Sequence, residues 1–312
     1  MALARGEFRV GRPTSMDLPK SAVPSVLKLS SPATKEYWEI PVLYSDKHLL
    51  ALDKPAGLLT SPDRFDPERA CLTRLLHAHI SRGVPWAKEL GLGYLANAHR
   101  LDSDTSGVML FARSKDVLAK LANDFGADLP VRTHQILVNG SPAKSEFEVD
   151  AKLAPHPVRP GVMRVDPVQG KKSLTRFRAL ERFVGYTWME AVPVTSRNQQ
   201  VRAHLWWAKL PLVGDRVYAG KPLWLSEIKP AFRPRKDRPE RALMARTAIH
   251  ASVLELKHPM DGTPLRIESP VPRDLGIALK YLRRYASGVS LGLLRDGDES
   301  DSDSDSGSDS EP

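Results

Sequence analysis

The sequence predicts an α+β fold. Strand-like and helix-like segments mix along one continuous body, without the regular strand–helix alternation of a doubly wound sheet. No internal repeat divides that body. With 312 residues, 41% of them hydrophobic and 27% charged, the chain can bury a sizeable core as one large domain or two small ones.

Residues 1 to 35 are rich in Pro, Ser and basic residues without periodicity and read as a loose basic arm. "VLYSDKHLLAL" then reads as two short strands around a polar turn, stopped by "KPAG". Leu72, Leu75, Leu76 and Ile80 recur at helical spacing. Val117, Leu118, Leu121 and Phe125 do so again, with Ser114 as N-cap and Gly126 as stop. Between these helices, Val108 to Ala112 form an apolar run suited to a buried strand. "HQILVNGSP" is a strand entering an Asn-Gly turn, and "SLTRFRALERF" and "YTWMEAVPV" continue as strands. "NQQVRAHLWWAKL" suits a helix, followed by a Gly214-Asp215 turn. Trp206 and Trp207 are adjacent and cannot share a helix face, so one is expected in the core and the other partly exposed. Residues 229–246, "KPAFRPRKDRPERALMAR", predict a long exposed loop, either a solvated insertion or a mobile arm that grips phosphate. "IHASVLEL" is strand-like, and "DLGIALKYLRRYA" closes the body as an amphipathic helix.

No apolar run reaches the roughly 18 residues of a membrane helix, and the first residues lack the apolar stretch of a secretory signal. The single cysteine, Cys71, excludes an intramolecular disulfide and a cysteine-cluster metal site. A reducing compartment follows, with the cytoplasm expected and the nucleus or an organelle as alternatives. The formal charge is +9, yet the Ser-Asp repeat from Asp296 to Pro312 holds eight acids and no base, and cannot pack a core. The preceding residues carry 46 bases against 29 acids, a net +17. A body that basic suggests a polyanionic partner, nucleic acid above all. The bland alternative is a solvated surface with a solubilising tail.

The stretch "NAHRLDSDTSGVMLFARS", Asn97 to Ser114, places Asp102 beside a His-Arg pair and at the edge of the apolar run. No Gly-rich phosphate loop or His-metal spacing accompanies it. A carboxylate in such a place can be a turn residue, or a group that acts on an anomeric carbon. The second role needs a nearby cation to keep the acid ionised, below its reference pKa of about 3.9.

Taken with the rest of the chain, these residues form a pattern. "HRLDSDTSG" resembles the HRLDxxTSG signature of the RluA-type RNA pseudouridine synthases. "VLYSDKHLLALDKPAGLLTSP" is similar to the segment that precedes it in that family. "GKKSLTRFRALERF", "TSRNQQVRAHLWWAKLPLVGDRVYAG" and "IHASVLELKHPMDGTPLRIESPVP" are similar to the segments that follow. The match runs in order from about Val42 to Pro272. It implies a pseudouridine synthase fold, a mixed and largely antiparallel sheet with flanking helices and a central cleft. It also implies isomerisation of a uridine within tRNA or rRNA: the C1′–N1 bond breaks, the base turns, and it rejoins the ribose through C5. Asp102 falls on the catalytic aspartate, and Arg202 on the arginine that pairs with it. Arg100 matches the residue that helps extrude the target base, which chemistry on a stacked nucleotide requires. Leu101 backs the aspartate, and Arg197 and Gln200 match positions at the RNA-facing rim. No metal or organic cofactor is implied, and the enzyme is expected to act as a monomer. His99 is expected as a structural histidine, and Lys54 is either a turn residue or a phosphate contact.

The chain departs from the pattern in two places. The family's Lys-x-Tyr, whose tyrosine stacks on uracil and is the candidate base for the C5 proton, is replaced by Arg132 and His134. Neutral histidine can stack and accept a proton. In the third motif, Ser196 stands for glycine and Asn198-Gln199 for Thr-His. The readings are an enzyme using His134, an enzyme using another base, or a non-catalytic RNA-binding protein on the same scaffold. A glycosidase would need a second carboxylate, and Asp104 is the only local candidate. The small S4-type RNA-binding domain of many relatives does not fit into residues 1–35. The expected organisation is therefore an arm over 1–35, a catalytic domain over 36–295 and an acidic tail over 296–312.

Overall fold

The computed structural model describes residues 24–63, 66–233 and 239–287. In chain order the elements are β1 (Val26–Ser31), β2 (Glu36–Ser45), β3 (Leu49–Lys54), α1 (Leu72–Ser81), α2 (Pro85–Glu89), β4 (Ala96–Asn97), β5 (Ser106–Ala112) and α3 (Lys115–Gly126). There follow β6 (Val131–Asn139), β7 (Glu146–Asp150), β8 (Leu153–Pro155), β9 (Met163–Val165), β10 (Leu174–Phe183), β11 (Tyr186–Pro193) and α4 (Gln200–Trp207). The last are α5 (Leu225–Ile228), β12 (Ile249–Lys257), β13 (Pro264–Glu268) and α6 (Arg273–Tyr285).

Most strands join one sheet in the order β1-β2-β3-β5-β12-β6-β11-β10-β7, with β4 on β5 and β13 on β12; β8 and β9 form a separate hairpin. All pairings are antiparallel except β5 with β12. The expected α+β architecture is thus the one observed. Its central strands are covered on both faces, which explains why they read as continuous apolar runs rather than alternations. Leu50, Leu52, Met109 and Phe111 face α1 and α2, while Leu49, Ala51, Val108, Leu110 and Ala112 face α3. Leu137 of β6 packs with α6, and Ile136 and Val138 pack with α4.

The parallel contact is narrow: Ser106 and Gly107 alone pair with His250 and Ala251. Gly107 has φ +113°, and a Cβ there would lie 2.1 Å from the Ala251 carbonyl oxygen. Only glycine allows the two halves of the sheet to meet at this seam.

Three expectations need correction. The arm does not reach residue 35, because Val26–Ser31 form β1, whose Leu27 and Leu29 are fully buried against the first core. The paired tryptophans are both exposed, Trp206 by 47% and Trp207 by 57%. Burial on α4 ends at Leu205, so its last turn projects past the sheet. Within 229–246, Leu243 and Met244 pack into the core beneath α6, and Met244 bridges Leu223. The end of that segment is therefore anchored, and residues 234–238 lie outside the described residues. The tail over 296–312 lies outside them too.

Candidate active site

The site begins with a loop, residues 98–105, that joins β4 to β5. Its main-chain oxygens are captured by donors from other parts of the chain. The Leu101 carbonyl accepts from Thr60 Oγ1 (2.8 Å). The Ser103 carbonyl accepts from Lys54 Nζ (3.0 Å) and from the Gly57 N–H (2.8 Å), and the Asp104 carbonyl accepts from Arg246 Nη1 (3.2 Å). Such bonds fix the backbone while leaving the Asp102 side chain free to face outward. Lys54 is fully buried and also donates to the Pro55 and Leu58 carbonyls, so it organises the loop and has no donor left for phosphate. Burial pulls its ammonium down to about 7, against the opposing pull of Asp102 and Asp104.

The cation comes from α4. Arg202 Nη1 lies 3.2 Å from Asp102 Oδ2, with Arg202 8% and Asp102 28% exposed in their side chains. The same guanidinium donates from Nε (2.7 Å) and Nη2 (2.8 Å) to the two oxygens of Asp215, whose side chain is fully buried. Burial alone would lower the Arg202 pKa, but Asp215 and Asp102 outweigh it and hold the guanidinium charged. Asp215 also caps the turn after it, accepting from the N–H groups of Val217 and Tyr218. The Tyr218 ring packs 5.2 Å from the Arg202 guanidinium. Thus Arg202 is oriented by Asp215 and presents its Nη1 to Asp102. The sequence marks Asp215 only as a turn residue, and its place in the "GDRVYAG" stretch of the third matching segment is the available signal.

A cleft of about 1330 Å³ opens over this pair. Arg100, Asp102, Arg132, His134, Arg197 and Arg202 all line it. Arg100 is exposed and Arg197 half-buried, so both can reach a ligand. Gln200 cannot, and its expected RNA contact is corrected. It is 3% exposed, its amide donates to Leu174 O and Thr175 Oγ1, and its oxygen accepts from Thr195 Oγ1 and the Arg197 N–H. It shapes the rim loop instead. Gln199, at φ +48°, starts α4 in the left-handed region, and its Oε1 accepts from the Tyr218 hydroxyl (2.7 Å).

The far wall carries two uncharged imidazoles. His134 is 8% exposed, and burial with the Arg132 cation pushes it down to about 3. Its Nδ1 is buried without a hydrogen-bond partner. His99 is pushed to about 3 by burial, Arg132 and His134. Its Nε2 accepts from the Leu110 N–H (3.1 Å) and its ring stacks on Phe125, the structural role expected of it. Tyr218 offers no replacement base. It is 3% exposed, and its hydroxyl is engaged by Met163 and Gln199.

A carboxylate held by an oriented guanidinium thus lies in an arginine-lined cleft. The RNA pseudouridylate synthase family matches this chain over residues 48–207. The ribosomal large subunit pseudouridine synthase D of Xanthomonas campestris is 32% identical over 286 residues, covering 90% of this chain and 81% of that protein. Its counterpart in Pseudomonas aeruginosa is 33% identical, covering 86% and 81%. Among solved structures, human RNA pseudouridylate synthase domain containing 4 shares the fold with a TM-score of 0.57. It is 22% identical and covers 78% of this chain and 92% of that one. Human RNA pseudouridylate synthase domain containing 1 gives 0.56 at 21% identity, covering 84% and 97%. The chain belongs to the RNA pseudouridylate synthase family, of the RluA type, and it is an enzyme that isomerises uridine to pseudouridine in RNA.

Proposed function

We propose that Asp102 acts on the ribose of an extruded uridine in ribosomal RNA, with Arg202 as its counterion and His134 as acceptor of the C5 proton. The observation that carries this reading is the Asp102–Arg202–Asp215 arrangement, which keeps a carboxylate oriented and reachable from the cleft. Attack at C1′ and proton removal from C2′ both need that carboxylate. Once C5 has joined C1′, the C5 proton must leave to restore the aromatic ring. His134 is uncharged at neutral pH and lines the cleft. So depressed an imidazole is a weak base, which suffices where rearomatisation drives the transfer. Arg100 and Arg197 hold the flanking RNA, Arg100 beside the space that the extruded base vacates.

Ribosomal RNA is favoured over tRNA because the relatives cited above are ribosomal enzymes. A monomer acting in the cytoplasm completes the reading. Against the non-catalytic alternative, which the exchange of the family's tyrosine for His134 suggested, the carboxylate and its counterion are both in place.

The test is release of tritium from [5-³H]uridine-labelled RNA taken from cells lacking this gene. Asp102→Asn is expected to lose three orders of magnitude or more, roughly, in turnover, while its affinity for the same RNA stays within about threefold. Turnover retained by that variant would defeat the assignment.

A further inference from the structure

Strand β6 loses its neighbour at the cleft. The ladder with β11 ends at the His134–Ala191 pair, so among the described residues Val131–Thr133 have no strand partner on that side. The chain leaving β11 becomes the rim loop, residues 194–199, which bears Arg197. One part of this loop is tied down by the Gln200 side chain and by Thr195 Oγ1, which accepts from the Leu174 N–H. Ser196 and Asn198 are exposed.

One side chain spans the gap. Arg132 Nη1 donates to Ser196 Oγ at 2.7 Å. Its Nη2 lies 3.9 Å from Asp128, just beyond the end of α3. The Arg132 side chain is only 16% exposed, and its Nε is buried without a partner. Arg197 Nη1 in turn donates to the Ser196 carbonyl at 2.9 Å, so the position of Ser196 sets that of Arg197. Arg132 and Ser196 are also two of the positions at which this chain departs from the pattern that it otherwise resembles, and here the two departures touch. A glycine at 196 would remove the acceptor of the Arg132 Nη1 bond.

We infer that Arg132 and Ser196 form a coupled latch that positions the Arg197 loop for RNA binding. Neither residue is catalytic; the pair acts through the loop. The inference rests on the reading of the cleft as the RNA site.

The experiment is a double-mutant cycle on Ser196→Ala and Arg132→Met, using the tritium-labelled RNA described above. Ser196→Ala is expected to raise KM about fivefold, the worth of one hydrogen bond, with kcat held within about twofold and the melting temperature unchanged. The double variant is expected to be no worse than Arg132→Met alone, since the second change removes a bond already lost. Ser196→Thr, which keeps the hydroxyl, is expected to restore the wild-type KM. Effects that multiply in the double variant would overturn the latch, as would a Ser196→Ala variant with unchanged KM or a threonine that fails to rescue. A wild-type protein that released no tritium would instead sink the catalytic reading. The same cycle, read as dissociation constants for that RNA, would still decide the latch.

Discussion

Asp215 orients the guanidinium that faces Asp102. Its carboxylate is fully buried and takes two of the bonds of Arg202. Asp215→Asn would keep the shape but leave a buried guanidinium short of charge compensation, a change that costs about 3 kcal/mol or more. Chemical denaturation should register that loss, and turnover should fall with it because Arg202 is no longer aimed at Asp102. The two imidazoles make a second residue-level prediction. In the unfolded chain they take up protons near the reference value of about 6.5, whereas burial holds them near 3 in the folded protein. Between those values the unfolded state binds more protons, so stability rises with pH across that window. It is lost on acidification by about 1.4 kcal/mol per unit for each imidazole. Melting temperatures measured from pH 7 down to pH 4 should fall, and His134→Tyr should make the fall shallower. A slope unchanged by that substitution would contradict the assignment of His134 as a buried neutral group.

Among the elements, the seam between β5 and β12 is the most exacting. Gly107→Ala would drive a methyl group into the Ala251 carbonyl at a positive φ, so backbone must move. Destabilisation of several kcal/mol, roughly, is expected, with urea unfolding as the measure; a near-neutral result would mean that the two halves of the sheet are not rigidly joined. Much at this scale was legible. The apolar spacing of Leu72 to Ile80 and of Val117 to Phe125 marked α1 and α3, and Ser114 does accept from the Val117 N–H as an N-cap. The short pieces β1, β8, β9 and α2 were not legible. β8, β9 and α2 have too few residues for a period to show, whereas β1 does alternate but draws its burial from helices far along the chain. The tryptophan pair misled for a related reason: helical spacing says which residues share a face, but not where the supporting sheet stops.

At the scale of the molecule, the arginines that line the cleft gather charge from segments remote in sequence: Arg100, Arg132, Arg197 and Arg202. Binding through such a surface releases counterions, and affinity for RNA should fall steeply with salt. Raising the salt from about 50 to 200 mM should weaken binding by at least tenfold, roughly, and Arg197→Ala should make that dependence shallower. Filter binding across a salt series measures both, and an affinity insensitive to salt would rule out this cleft as the RNA site. No described helix is long and apolar enough to cross a membrane.

Reading the chain alone was enough to name the family and to expect Asp102 beside Arg202, where the structure brings them together, because a family's chemistry leaves its side chains in a fixed order in the text. It could not tell that Gln200 faces inward, that Lys54 is a buried clamp, or that Asp215 rather than Asp102 takes most of the arginine's bonds. Those outcomes depend on which polar groups end up without water, and that is settled when distant segments pack against one another rather than by neighbours along the chain.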